Sequence, residues 1–457
     1  MYSIHTFLLQ KELFRSPEPV KTTVVSSFTD TPALQQIAKQ ADSDYILFYT
    51  GTSPIELHPY AIGRMYQIAE SNDGALFYSD YQEIRQGKKI HHPTLEYQTG
   101  SIRNDFDFGQ LLLFRNDSFQ QVVAQMNTDY RFAALYELRL SISRLGKIVH
   151  IPETLYTVQP TDLRLSGEKQ FDYVDPANRE VQLEMEAVCT AHLQAIGAWL
   201  APEFQRIDFG QENFAREASV IIPVRNRKRT IAEAVESALQ QQTDFSFNVI
   251  VVDNHSTDST GQILTELSRR YPNLIHHIPA STELGIGGCW TEAILLPECG
   301  KFAIQLDSDD LYKDCHVLQR IVDTFYQENC AMVIGSYQMV DFKLEEIPPG
   351  LIAHREWTPD NGRNNALRIN GLGAPRAFYT PVLRQIKFPN VSYGEDYATA
   401  LAISRKYPIA RIYDPLYLCR RWEENSDHGL DIQQLNNYNF YKDKIRTLEI
   451  QARISGK

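Results

Sequence analysis

An α/β fold on a mostly parallel sheet, preceded by a shorter and related α/β domain, is what this sequence predicts. Three observations predict it. Short apolar runs alternate with amphipathic stretches between residues 218 and 306, acidic clusters follow two of those runs, and a stretch near residue 140 recurs near residue 400. Alternation of this length builds right-handed strand–helix–strand units. Ligands of such sheets bind beyond the carboxyl ends of the strands.

The elements follow in order. Ser219 to Pro223 is an apolar run closed by a breaker, as a buried strand would be. Thr230 and Glu233 have capping-box spacing and would open a helix running to about Gln242. Asn248 to Asp253 reads as a second strand, and the helical stretch from Asp258 to Tyr271 is stopped by Pro272. A weaker third strand, Leu274 to Ile278, precedes a helix from about Gly287 to Leu296. Phe302 to Leu306 is the fourth strand and runs into Asp307-Ser308-Asp309-Asp310. Upstream, Asp175-Pro176 pairs an N-cap with proline at the first helical position and would open a helix to Leu200. Residues 210–217 are polar and read as a linker. The expected regions are therefore 1–160, a bridge over 161–217, and 218–457 with a lid and a terminal helix at its end.

Residues 133–156 align without a gap to residues 394–417, with nine of 24 positions identical at an offset of 261. Tyr81-Gln82 matches Tyr337-Gln338 at offset 256, and Tyr45–Tyr49 matches Phe302–Leu306 at offset 257. Three blocks in order predict two related folds in tandem. Opposite Asp307–Asp310 stand Thr50-Gly51-Thr52-Ser53, and opposite Glu395-Asp396 stand Ala134-Leu135. The first copy has thus lost its acids and part of its length. Its Phe77–Tyr81 aromatics are expected to pack across strands rather than to hold a ligand.

Composition narrows the class. The 457 residues carry 45 Lys+Arg against 57 Asp+Glu, a net charge of −12. That balance disfavours nucleic acid and anionic lipid. No run approaches the roughly 18 apolar residues of a membrane span, and the N-terminus lacks a basic segment leading into an apolar one. Six cysteines never form a CxxC pair and read as reduced thiols of a cytoplasmic protein.

The acids carry the chemistry. Carboxylates spaced D-x-D on a turn can hold a hard divalent ion and leave positions for phosphate and water. Such an ion neutralises charge on a diphosphate leaving group. A separate carboxylate can accept a proton from an attacking hydroxyl. The bland alternatives are an acidic surface turn and an acid pair favourable to a helix dipole.

Four blocks in this order, A-S-V-I-I-P-V-R-N-R (218–227), V-V-D-N-H-S-T-D (251–258), L-D-S-D-D (306–310) and G-E-D-Y (394–397), resemble the family 2 glycosyltransferases of the GT-A fold. The resemblance covers residues 218 to about 430. It implies inverting, metal-dependent transfer of a sugar from a nucleotide diphosphate, UDP foremost, to an acceptor hydroxyl in glycan or cell-surface polysaccharide synthesis. It places Pro223, Arg225, Asn226 and Asp253 around base and ribose, with Asn254 and Ser308 beside them. Asp307 would lie near ribose and metal, Asp309 would be the main ligand for Mn²⁺ or Mg²⁺, and Asp396 the catalytic base. The partners it implies are the nucleotide-sugar donor and a glycan or lipid-linked acceptor, with a homodimer as one expected assembly and the inner membrane face as one expected location. Asn254 and His255 replace the usual Asp-Gly, and Thr291-Glu292 replace the usual Arg-Asn. Arg420, Arg421 and His428, on a loop closing over the donor, are expected to supply the missing positive charge. The first copy would then serve packing, pairing or acceptor recognition. A nucleotidyltransferase is the first rival, but its glycine-rich, lysine-bearing signature is replaced by Pro223–Asn226. A non-catalytic sugar-binding scaffold is the second, and the intact acids argue against it.

Overall fold

The computed structural model describes residues 2–159, 178–210, 212–422 and 430–456. The chain divides into a first unit (1–199, 367–369 and 430–457) and a second unit (200–366 and 370–429).

Among the described residues the first unit holds nine strands: β1 (Ile4–Leu8), β2 (Phe14–Arg15), β3 (Lys21–Val24), β4 (Tyr45–Tyr49), β5 (Ile55–Leu57), β6 (Gly74–Arg85), β7 (Lys88–His92), β8 (Leu111–Arg115) and β9 (Lys147–Val158). They lie in the order β2-β5-β9-β6-β8-β4-β1-β3, with β7 added beside β6. Strand β4, sequence YILFY, is buried throughout because both faces of the sheet are covered. Ile46 and Phe48 enter one apolar cluster, while Tyr45, Leu47 and Tyr49 enter the other. The expected cross-strand packing of the aromatics is observed. Phe77 and Tyr78 are buried, and Tyr81 stacks between His92 and Tyr156.

The second unit holds β10 (Ala218–Val224), β11 (Phe247–Asp253), β12 (Leu274–His277), β13 (Phe302–Gln305), β14 (Leu311–Tyr312), β15 (Met332–Val340), β16 (Glu346–Ile352), β17 (Arg376–Tyr379) and β18 (Ile409–Arg420). Their order is β12-β11-β10-β13-β17-β15-β18-β14, with β16 beside β15. The four strands read from the sequence are parallel to one another. Beyond β13 the sheet is mixed, since β17 runs antiparallel to both β13 and β15. The parallel run expected from the sequence covers β10 to β13, and in the other half only β15 and β18 pair in parallel.

Read from the opposite edge, the second sheet repeats the first: β5, β9, β6, β8, β4, β1 and β3 take the places of β14, β18, β15, β17, β13, β10 and β11, with every pairing in the same sense. The registers agree residue by residue. Tyr81 pairs with Tyr156 as Tyr337 pairs with Tyr417, and Leu57 faces Tyr156 as Tyr312 faces Tyr417. Leu76 faces Phe114 as Met332 faces Phe378, which makes Leu112 the counterpart of Arg376. Among the described residues the first sheet shows no counterpart of β12, yet it keeps two parallel strands beside β4, so its first half is shortened rather than lost.

Two expectations need correction. The terminal helix, Ile432–Ile454, belongs to the first unit and not to the 218–457 region. The physical reason is a buried polar network. Asp443, 1% exposed, accepts hydrogen bonds from Ser101 (3.0 Å), Arg103 (3.2 Å) and Arg446 (2.8 Å). The capping box at Thr230 does not form, since that residue makes no side-chain cap bond to its helix, Ile231–Leu239. Glu233 is drawn to the Arg420 guanidinium instead. The helix upstream of the linker spans Arg179–Ala195 and buries Val188, Cys189 and Leu193. The proposed N-cap at Asp175-Pro176 lies outside the described residues, as do residues 161–177 and 211 of the bridge and His428.

Candidate active site

The end of β11 and the loop after it, the helix Thr260–Arg270 and the end of β12 line a groove of about 760 Å³, within the usual range for small-molecule sites. Asp253 ends β11 and is 2% exposed. One of its oxygens accepts from the Ser256 backbone N–H (2.9 Å), and the other faces His276 Nε2 at 3.4 Å. Burial pushes this carboxyl up, but the hydrogen bonds from His276 and Ser256 outweigh it and hold the group below its ordinary range. Asp253 therefore faces the groove as an anion. Asn254 Nδ2 donates to Leu284 O (2.7 Å), while its buried Oδ1 has no partner.

Asn226, at φ 55°, ties the two loops together. Its N–H donates to Ser256 Oγ (2.9 Å), and its Oδ1 accepts from Thr257 N (2.8 Å). The geometry thus gives Asn226 a loop-pinning task. Pro223 is half-buried beside it and Arg225 is exposed. His255 occupies a left-handed position, φ 54°, and reaches Ser281 O at 3.0 Å.

Strand β13 delivers the acidic turn. Asp307 accepts from Gln305 Nε2 (2.9 Å), and its N–H donates to the Tyr417 hydroxyl (2.9 Å). Ser308 is buried between the two acids. Asp309 Oδ2 accepts from the Trp422 indole N–H (3.1 Å) and lies 3.7 Å from Arg227 Nε. Asp310 is buried and accepts from the Arg420 N–H (2.8 Å). Burial, then its acidic neighbours Asp309 and Asp307, push the Asp310 carboxyl well above its ordinary range. Burial also pushes Asp307 up, with Arg376 opposing.

The donor set fits a hard divalent ion of the kind held by one or two carboxylates plus phosphate oxygens. Among the described residues no three metal-binding side chains converge, so the remaining positions would fall to phosphate and water. Asp309 would hold the ion with Asp307 behind it. Arg227 and Trp422 now occupy the Asp309 oxygen that the ion would take.

Glu395 and Asp396 open the helix Glu395–Ser404 after Gly394. Asp396 Oδ1 accepts from the Tyr397 N–H (2.7 Å), and Oδ2 pairs with Arg376 at 2.5 Å. Glu395 is 8% exposed, its Oε2 has no partner, and burial followed by the neighbouring Asp396 pushes it up to about 8. The approach to this helix is fixed by a close contact. A Cβ at Gly287 would sit 2.0 Å from Pro389 O, and Gly287 N donates to Val391 O (2.9 Å).

Sequence reasoning missed several residues here. Arg420 does not face a donor: it is 2% exposed, and its guanidinium bonds Glu233 and the Asp309 carbonyl. The loop after β10 supplies cations instead: Arg227, half-buried, and Arg229, exposed, lie over the Trp422 ring at 5.7 and 5.1 Å. The basic run R-N-R-K-R at 225–229 was the available signal. Arg376 had none.

The groove at the end of β11, the acidic turn after β13 and the carboxylate paired with Arg376 belong to an α/β domain of the kind that binds ligands beyond the carboxyl ends of its strands. Residues 219–386 match the family model described as Glycosyl transferase family 2. The chain carries a glycosyltransferase domain of this family, with its α/β fold, in the second unit. A poly(ribitol-phosphate) beta-glucosyltransferase of Bacillus spizizenii is 25% identical over 230 residues, which are 49% of this chain and 35% of that protein. The minor teichoic acid biosynthesis protein GgaA of Bacillus subtilis is 33% identical over 111 residues, 23% of this chain and 24% of that one. The chain thus spans about a third or less of these relatives' lengths. Among solved structures, S. aureus TarS 1-349 in complex with UDP-GlcNAc is 23% identical, covering 52% of this chain and 72% of that one with a TM-score of 0.40.

Proposed function

We propose that the second unit moves a sugar, with inversion, from a nucleotide diphosphate to an acceptor hydroxyl, and that the donor is a UDP-sugar. The observation that carries this reading is the contrast between two sheets of one topology. The second keeps Asp307, Asp309, Glu395 and Asp396, where the first has Thr50, Thr52, Ala134 and Leu135. An unselected acidic surface would not differ from its counterpart at each of these places together. The first unit is then a silent relative of the catalytic fold.

In this mechanism Asp253 accepts an N–H of the base at the groove floor, and the unpartnered Asn254 Oδ1 accepts a further ligand donor. Asp309, with Asp307, holds a divalent ion, which when bound supplies neutralisation of the leaving diphosphate. Arg227 and Arg229 supply the positive charge expected of Arg420. Asp396 takes the acceptor's proton as its oxygen attacks the anomeric carbon, and the nucleotide leaves from the opposite face. The named activity of the Bacillus spizizenii relative, a poly(ribitol-phosphate) beta-glucosyltransferase, favours poly(ribitol phosphate) as acceptor. The test is nucleotide release from UDP-, GDP- and dTDP-sugars, with and without Mn²⁺, with poly(ribitol phosphate) as acceptor. Release confined to one nucleotide and requiring Mn²⁺ is expected. No release from any donor, with binding of free polymer alone, would favour a glycan-binding scaffold.

A further inference from the structure

We propose that Arg376 is a positioning residue that fixes the orientation of the Asp396 carboxylate for proton acceptance. The proposal rests on the reading of Asp396 as the base. Arg376 opens β17 and is held in the sheet opposite Ile334. Its backbone N–H donates to Gln305 Oε1 (3.1 Å), and Gln305 Nε2 donates to Asp307 Oδ1 (2.9 Å). Its guanidinium Nη1 donates to Gly373 O (3.0 Å) and meets Asp396 Oδ2 at 2.5 Å. One chain of bonds therefore links the acidic turn, β17 and Asp396.

Asp396 is pinned at both oxygens, by the Tyr397 N–H and by Arg376. A carboxylate oxygen carries two lone pairs, so pinning sets a direction without exhausting the acceptor capacity. The planar guanidinium fixes that direction in a way a flexible ammonium cannot. Charge supports the same assignment. A cation 2.5 Å from Asp396 Oδ2 favours the ionised form that can accept a proton. In the first unit the counterpart of Arg376 is Leu112, so the cation is absent where the acids are absent.

The test uses the full chain with UDP-glucose and UDP-GlcNAc, comparing wild type, R376M, R376K and D396N by UDP release and by UDP titration calorimetry. Misplacing a reacting group by about an ångström costs on the order of a hundredfold. R376M is expected to lose about that much kcat while donor KM and UDP affinity stay within about twofold. R376K should recover part of the loss. R376M turning over like wild type while D396N is inactive overturns this proposal alone. Turnover by D396N overturns the assignment of the base. A parallel loss of UDP affinity and kcat in R376M would make the residue merely structural. Should R376M fail to fold, R376K decides: an unchanged kcat rejects the positioning role, and a reduced kcat at unchanged KM upholds it.

Discussion

Replacing Asp253 by Asn tests the nucleotide site with almost no change in volume. In the protein as it stands, Asp253 Oδ1 accepts from Ser256 N and Oδ2 faces His276. An asparagine can keep the Ser256 bond through its carbonyl and turn its amide toward His276, so the loop should hold. Toward the ligand the variant presents a donor where an acceptor stood. A hydrogen bond to a charged group is worth about 1.5–3 kcal/mol, and each ~1.4 kcal/mol is tenfold in affinity. UDP should therefore bind about ten- to a hundredfold more weakly to D253N. Uracil carries hydrogen at N3 and cytosine does not, so CDP should lose less than UDP. The low carboxyl range of Asp253 keeps it ionised near neutrality, and wild-type affinity should fall only as pH drops into that range. Titration calorimetry with UDP and CDP reads all of this. UDP affinity within twofold of wild type in D253N would refute the placement of the base.

Two further outcomes follow from buried charge. Glu395 is raised to about 8 in the folded chain from an ordinary 4.5, so the folded state holds the proton more tightly and stability falls as pH rises between those values. E395Q should therefore melt higher than wild type at pH 8 by up to a few kcal/mol of stability, and the gap should close below about pH 4.5. Equal melting curves at pH 8 would show that the Glu395 carboxyl is not strained by burial. D443A would remove the carboxylate that Arg103 and Arg446 share, Arg103 keeping Asp105 at 2.9 Å, and breaking a buried ion pair typically costs about 3–5 kcal/mol. Urea unfolding that shifts by less than about 1 kcal/mol would show that this network does not anchor the terminal helix.

Much of the second unit was legible because its strands are continuous apolar runs closed by breakers. β10, β11, β12 and β13 fall within a residue or so of their expected bounds. The repeat was legible because Tyr156 and Tyr417 keep the same strand partners in both sheets. Local spacing failed where a distant partner won. Glu233 sits at capping-box distance from Thr230 but is drawn to Arg420, 187 positions along the chain. Asn226 stands in the family's nucleotide block and spends its carbonyl on Thr257. Arg376 follows a glycine- and proline-rich stretch with no period, and its partner lies 20 residues away. The terminal helix follows the second unit in sequence, whereas Asp443 pairs with Ser101 and Arg103, more than 300 residues earlier.

The role of Asp396 is tested most directly by the rate of UDP release from UDP-glucose or UDP-GlcNAc by D396N and wild type, with poly(ribitol phosphate) present and each protein saturated with donor. General-base assistance is worth about a hundred- to ten-thousand-fold. D396N should lose turnover on that scale and bind UDP as tightly as wild type. Wild-type turnover by D396N would contradict the account.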